Sequence, residues 1–313
     1  MTLTGHKLAV DLEPGSPEWL QTVSASQIAT IVGLTPSQWE TPFSLWMKKQ
    51  GRMPAPEQTD AQGRGHEFEP LIFKWFAEAH AGDGFRVEKT GTWQHNHRLW
   101  QTANPDGLIY PDEYHTDPIG LEIKTAADLR EWADGVPDYY QCQAQWQCDT
   151  LGLERVIFAV CGPFELFDRR PKEYVIEYDP KAAARLREAA IRFTESLELD
   201  IAPDEDLTTE PDRLAIRFQH TTVIDNPPVD LPDEIAVPYL TALAETKRIE
   251  GDKARWSAEV AKYLGDSKAA AWHGVTLGTR RKTDPPSFSA AKGLADKATD
   301  LLNPKASVER EVA

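Results

Sequence analysis

The apolar positions of this chain change period along its length, and the changes mark its elements. Up to about residue 80 they recur every three or four residues, the spacing of helices. Gln27-Ile28-Ala29-Thr30-Ile31-Val32 follows Ser24-Ala25-Ser26 and stops at Gly33, which predicts a short helix capped by a serine hydroxyl. Phe43 to Lys49, ending near Gly51, predicts a second helix. A third is expected from about Arg64, carrying His66, Glu69, Ile72, Phe73, Trp75, Phe76 and Ala79. Glu69 falls beside its apolar stripe, an unusual place for a carboxylate without a partner. The period then becomes two, and 85–93, 107–110, 119–124, 155–160 and 173–178 read as strands. Pro137 opens a helix containing Tyr140, Gln143, Trp146 and Gln147, and Asp179-Pro180 starts another through about Leu197. This alternation predicts a mixed α/β domain over residues 1–200, with a loose arm up to about residue 17.

Beyond residue 200 the pattern thins. Residues 201–232 are acidic and proline-rich and read as a linker. A charged helix follows from about Pro238 to Leu264, stopped by Gly265, with an apolar stripe too sparse for a buried core helix. Trp272 to Arg281 reads as a short strand or hairpin, and the tail is weakly helical. Residues 201–313 are therefore expected to form a linker and a C-terminal helical and short-strand region.

With 313 residues, 41% of them hydrophobic, and ten tryptophans, the chain can build a substantial core. Its net charge of −16 argues against coating nucleic acid nonspecifically, but it leaves room for a local basic groove. Lys48, Lys49 and Arg52, and later Arg280-Arg281-Lys282, are candidates for one. Cys142, Cys148 and Cys161 are odd in number and form no Cys-x-x-Cys pair, so reduced thiols are expected and an iron–sulfur cluster is not. No secretory leader and no membrane-length apolar run is apparent, which fits a soluble, cytoplasmic protein.

Candidate chemistry clusters in the first half of the chain. Asp106, in Asn104-Pro105-Asp106-Gly107, precedes Leu121-Glu122-Ile123-Lys124, in which Glu122 and Lys124 share one face of a strand. Asp106, Glu122 and the backbone carbonyl of Ile123 are hard oxygen donors suited to Mg²⁺ or Mn²⁺, and Glu69 can join them directly or through water. Two such ions about 4 Å apart would serve an in-line phosphodiester displacement, with Lys124 orienting the attacking water. Gln143 and Tyr140 share a helix face and are suited to hold Lys124, a water or a phosphate. Each piece also has a plainer reading. Pro-Asp-Gly is a common turn, Glu-x-Lys is often a solvated face, and Gln-x-Gln is usually surface. Their order, and the apolar neighbours Leu121 and Ile123 that make the strand central, favour the chemical reading.

That order resembles the PD-(D/E)xK nuclease superfamily, and within it the YqaJ viral recombinase group with the lambda-type and RecE-type exonucleases. The matching stretches are Ser24 to Ile28 with Gly33, Gly65 to Pro70, Pro105-Asp106-Gly107, Glu122-Ile123-Lys124, and Gln143-Ala144-Gln145 on to Gly152. The resemblance implies a mixed sheet flanked by helices and a phage- or prophage-type exonuclease. Such an enzyme degrades the 5′ strand of linear duplex DNA with two divalent metals, works as a homo-oligomeric ring, and serves a RecT- or beta-type single-strand annealing protein. It assigns Asp106 and Glu122 as metal ligands, Lys124 as the catalytic lysine, Glu69 as a supporting acid, and Gln143 to the helix motif. Two departures stand out: no arginine precedes the Ser24–Ser26 stretch, and Asn104 stands where serine is usual. Phosphate or DNA contacts are therefore expected from Ser26, Lys48, Lys49, Arg52, Asn104, Tyr140 and Gln145. A non-catalytic scaffold of the same fold and an endonuclease are the alternatives. The loop from Asp112 to Asp117 is expected to extend a hairpin. His95-Asn96-His97 is expected to form a solvated turn, His115 gives no credible zinc spacing with it, and Gly63-Arg64-Gly65 lacks the strand and third glycine of a nucleotide loop.

Overall fold

The computed structural model describes residues 3–54, 59–111, 117–219, 222, 225, 227–283 and 285–302. The chain divides into two compact units, residues 1–223 and 224–313.

The first unit is built on a five-stranded sheet of order β3-β6-β7-β8-β9. Its strands are β3 (Arg86–Lys89), β6 (Gly107–Tyr110), β7 (Ile119–Thr125), β8 (Arg155–Cys161) and β9 (Lys172–Glu177). β7 and β8 pair in parallel and the other neighbours are antiparallel. A parallel pair needs a long crossover, here supplied by α5 (Asp138–Leu151). Alternation along the strands gives each face its own core. Ile109, Ile119, Leu121, Ile123 and Ile157 pack against Ile72 and Phe76 of α4 (Asp60–His80). Leu108, Val156, Phe158 and Val160 pack on the other face against Trp146 and Leu151 of α5 and Leu186 and Ala190 of α7 (Pro180–Glu198). The expected mixed sheet flanked by helices is therefore present. α4 begins four residues before the expected start, at a capping box in which Thr59 and Gln62 serve each other's backbone N–H groups.

A second, four-stranded sheet has the order β1-β4-β5-β2. Its strands are β1 (Gly5–Lys7), β2 (Val23–Ser24), β4 (Trp93–His95) and β5 (Gln101–Ala103). The expected strand over 85–93 thus splits between the two sheets. Two short helices, α1 (Pro17–Leu20) and α2 (Ile28–Ile31), flank β2. The expected serine cap on α2 is corrected: Gln27 holds the N-cap position without a side-chain bond. Its amide oxygen instead accepts from the Ser24 backbone N–H at 3.0 Å, and the Ser24 and Ser26 hydroxyls pair at 3.1 Å.

α3 (Pro42–Lys49) and α8 (Glu210–Gln219) pack together with α7 through Phe43, Trp46, Met47, Phe193 and Ala215. Buried Asp212 accepts hydrogen bonds from the Thr41 hydroxyl and, at 2.7 Å, from the Asp206 backbone N–H. This docking carries the compact unit to residue 223 rather than 200, and part of the expected linker is a docked helix. The short α6 (Pro163–Asp168) links β8 and β9.

The second unit contains the 32-residue α9 (Asp233–Leu264), a three-stranded antiparallel sheet and α10 (Leu294–Leu302). The sheet strands are β10 (Ala269–Trp272), β11 (Val275–Arg281) and β12 (Ser287–Ala290). The expected hairpin forms at His273-Gly274, both with positive φ. Arg280 of the basic triplet donates to the Gly265 carbonyl. No described helix is long and apolar enough to cross a membrane.

Candidate active site

The site lies where β6 starts beside β7. Gly107 pairs with Leu121, so the β6 ladder ends there and the next stretch of β7 lacks a strand on that side. The side chain of Asp106 fills the gap, its Oδ2 accepting from the Ile123 backbone N–H at 2.6 Å. Gly107 lets α4 and β3 close in beside it: a Cβ there would meet Phe73 at 2.8 Å and the Glu88 carbonyl at 3.0 Å. β7 then presents Glu122 and Lys124 on the face covered by α5, while Leu121 and Ile123 face α4.

Glu122 is buried, and its carboxylate is held by three donors. Oε1 accepts from Lys124 Nζ at 2.6 Å and from Gln143 Nε2, and Oε2 accepts from Gln147 Nε2 at 2.6 Å. The Lys124 ammonium also lies 4.7 Å from the centre of the Tyr140 ring. Burial alone would lower the Lys124 pKa, but the Glu122 carboxylate, with Tyr140 and Asp106, outweighs it and raises the value above the usual range. Burial and then the negative charge of Glu122 push Asp106 well above the ordinary carboxyl range; Lys124 and the Ile123 N–H oppose this, and Glu69 adds to it.

The structure thus brings Asp106, Glu122, Ile123, Lys124, Tyr140 and Gln143 together. Glu69, on α4, acts electrostatically on Asp106 and pairs with Lys89 at 3.6 Å. Asn104 is exposed at the end of β5. Ser26 is exposed two residues beyond Ser24, whose strand runs parallel to β5 with Ser24 opposite Thr102, so both head toward the same end of that sheet.

Four expected contacts are reassigned. Lys48 is buried against Glu40 at 2.6 Å. Lys49 is buried, donates to the Trp19 and Thr22 carbonyls at 2.6 Å each, and sits 3.6 Å over the Trp19 ring. Burial, opposed by Glu40, brings its pKa down to about 7. Arg52 pairs with Asp200 at 2.6 Å and stacks over Trp46. Lys48 and Lys49 serve the packing of α3 rather than an open groove, and Arg52 is engaged in an exposed pair. Gln145 lies about 200° around α5 from Gln143. It donates to the Glu177 carbonyl at 2.8 Å and accepts from the Asp179 N–H at 2.7 Å, so it ties α5 to the start of α7.

Gln147 was legible as a helix residue but not as a site residue. The signal was its spacing: one turn after Gln143, it occupies the same face. Its amide orientation is fixed because a carboxylate only accepts, and its Oε1 is buried without a partner. At its far end α5 carries Asp149, which accepts from Arg98 and Gln101 at 2.9 Å each, from Tyr178 at 2.7 Å, and from Arg187. His95 is buried, not solvated; its Nδ1 accepts from the backbone N–H groups of His97 and Arg98 at 3.0 Å each, and burial lowers its pKa to about 4. That run is a structural turn. His115 and Asp112 to Thr116 of the expected hairpin extension lie outside the described residues. The three cysteines are free thiols, pushed up to about 11 or 12 by burial.

Among the described residues no group of three or more His, Cys, Asp and Glu side chains is arranged to hold a metal. The donor set still suits one hard divalent cation. Burial and the neighbouring Glu122 raise the cost of ionising Asp106, the condition a dication relieves. Asp106, Glu122 and the Ile123 carbonyl would hold it.

Pro105-Asp106, just before β6, and Glu122-Ile123-Lys124 on the adjacent antiparallel β7 are placed as the expected PD-(D/E)xK motif requires. Residues 18–154 match the model of the YqaJ-like viral recombinase domain. The matched stretch lies within the first unit and is similar to that domain. The chain is also similar to the uncharacterized protein YqaJ of Bacillus subtilis (strain 168), 33% identical over 163 residues, or 49% of this chain and 48% of that protein. The matched region therefore spans about half the length of that relative. Among solved structures, an alkaline exonuclease from Laribacter hongkongensis is 24% identical with a TM-score of 0.47, covering 59% of this chain and 94% of that one. A phage-related exonuclease from Haemophilus somnus 129PT is 15% identical with a TM-score of 0.41, covering 58% of this chain and 96% of that one. The stretch matched by the family model includes Asp106, Glu122, Lys124, Gln143 and Gln147.

Proposed function

We propose that the protein is a divalent-metal-dependent exodeoxyribonuclease that degrades linear duplex DNA from its ends. One observation carries this reading: Asp106, Glu122 and Lys124 converge at one opening in the sheet, with Glu122 aimed by two amides. Mg²⁺ or Mn²⁺, bound there as one or two ions, would neutralise charge on the phosphoryl oxygens and make hydroxide accessible at neutral pH. The protein's own groups have distinct tasks. Asp106 and Glu122 hold the cation, and Gln143 and Gln147 fix the direction of the Glu122 oxygens. Lys124, kept protonated and positioned over Tyr140, places a positive charge and N–H donors at the attacked phosphate. Asn104 and Ser26, exposed toward the same end of the sheet, are the remaining candidates for contact with the DNA backbone. The finer reading follows the resemblance: attack on the 5′ strand, a closed homo-oligomeric ring, delivery to an annealing protein, and work in the cytoplasm of a bacterial host.

The test uses linear and covalently closed circular duplex, each labelled on one strand, with Mg²⁺ or with EDTA. Degradation of linear DNA alone, in Mg²⁺ alone, is the expected outcome. Lys124→Ala, Asp106→Asn and Glu122→Gln should each lower the rate on the order of 100-fold or more while the protein stays folded. Cutting of closed circles would make the enzyme an endonuclease. Full activity in Lys124→Ala would overturn the assignment of roles.

A further inference from the structure

Within the second unit, α9 is covered at one end only. Where it packs on β10 and β12, Ser257, Val260, Ala261 and Leu264 are half-buried. From residue 233 to 256 every position except Ala236 is exposed. That exposed stretch is not polar all round. Ile235, Ala236, Tyr239, Leu240 and Leu243 recur at helical spacing, and the four large side chains are between 49% and 61% exposed. About 18 residues complete five helical turns, so Tyr239 lies in line with Ser257, and Leu243 with Ala261. The face that meets the sheet at one end of α9 thus runs on, uncovered, at the other. Thr246 and Glu250, on the same line, interrupt it and bound the uncovered part at about residue 247. A helical stretch of this length draws most of its stability from packing its apolar face, so this face calls for a partner.

Charge indicates which partner. Asp233 and Lys247 stand at opposite ends of the uncovered stretch. Their spacing brings the helix round to within about 40°, so both border the apolar stripe on the flank next to Leu240. A second copy related by a two-fold axis runs antiparallel and presents the same flank end for end. Each copy's Asp233 then meets the other's Lys247, and the two Leu240 side chains meet near the axis. A uniformly acidic or uniformly basic partner would set like charge against one of the two ends.

We infer that α9 docks over residues 233–247 on the α9 of a second copy of this chain, antiparallel and two-fold. The inference rests on the second unit alone and is independent of the nuclease reading. Such a contact is isologous, whereas a closed ring of three or more copies is built from head-to-tail contacts, so the two would use different surfaces.

The test is the mass of the full chain by light scattering across the micromolar range. The wild type should have at least twice the mass of Leu243→Asp at the same concentration, whatever assembly the first unit forms. Lys247→Glu sets a carboxylate against Asp233 and should weaken pairing roughly 5- to 10-fold, because the symmetry repeats each surface pair twice. Asp233→Lys combined with Lys247→Glu reverses the pair and should restore most of the affinity. Leu243, Asp233 and Lys247 are exposed, so the substitutions leave the cores intact, which melting curves and far-UV circular dichroism verify. A wild type with no more mass than Leu243→Asp, or a double variant that pairs no better than Lys247→Glu, overturns the inference.

Discussion

Gln147→Leu separates fold from chemistry at this site. The substitution keeps the approximate volume of a fully buried side chain. It removes the bond from Nε2 to Glu122 Oε2, a charge-assisted contact worth about 1.5–3 kcal/mol. It also removes Oε1, a buried acceptor without a partner, whose desolvation costs about 1–3 kcal/mol. The two terms oppose each other, so stability should change by no more than about 2 kcal/mol. Glu122 keeps Lys124 and Gln143 on Oε1 but loses the constraint on Oε2, leaving the carboxylate free to swing. Partners that orient a metal ligand typically contribute about 10- to 100-fold to metal affinity or activity. The assay is thermal unfolding of EDTA-stripped protein titrated with Mn²⁺, run beside DNA degradation at several Mn²⁺ concentrations. Gln147→Leu should melt with the wild type when metal-free, need about 10- to 100-fold more Mn²⁺ for the same upward shift, and regain activity in parallel. If its Mn²⁺ dependence matches the wild type, Gln147 does not aim Glu122. If metal-free melting falls steeply, the cancellation argued here is wrong.

Other outcomes follow from the same geometry. Lys49 has a folded pKa of about 7, below its unfolded value, so between those values the unfolded chain binds the extra proton. Stability should therefore rise as pH climbs from about 7 through the alkaline range; Lys49→Met should lose that slope, read as the difference between the two melting profiles. Asp212→Ala strands the Asp206 N–H, leaves the Thr41 hydroxyl with Ser44 alone, and should cost on the order of 2 kcal/mol, with earlier proteolysis within residues 201–219 as the accompanying sign. Gln145→Leu should destabilise by about 1–2 kcal/mol without shifting the Mn²⁺ requirement, since its bonds go to Glu177 and Asp179 rather than to Glu122.

The parts of this molecule legible in the sequence are those where one residue type repeats at one period. β6, β7 and β8 are apolar runs because each faces two cores, β9 alternates because only one of its faces is packed, and Pro137 and Asp179-Pro180 mark where α5 and α7 start. Asp106, Glu122 and Lys124 were visible because a central apolar strand tolerates a Glu/Lys pair poorly unless the two meet. What stayed hidden depends on contacts distant in sequence. β1, β2 and β5 have two or three residues each, too few to show a period, and exist through pairing across the small sheet. Lys48 and Lys49 look like a basic patch until Glu40, Trp19 and Thr22 are placed around them. α8 lies in an acidic stretch, and only Thr41, 171 residues away, explains why Asp212 is buried.

α5 has three commitments on two opposite faces: Gln143 and Gln147 to Glu122 on one, and on the other Gln145 to the start of α7 and Asp149 to Arg98 and Arg187. Each added residue turns a helix by about 100°. Inserting or deleting one residue between Gln143 and Asp149 would thus swing at least one of these ties off its target. This helix can change its letters at many positions, but it cannot change its length.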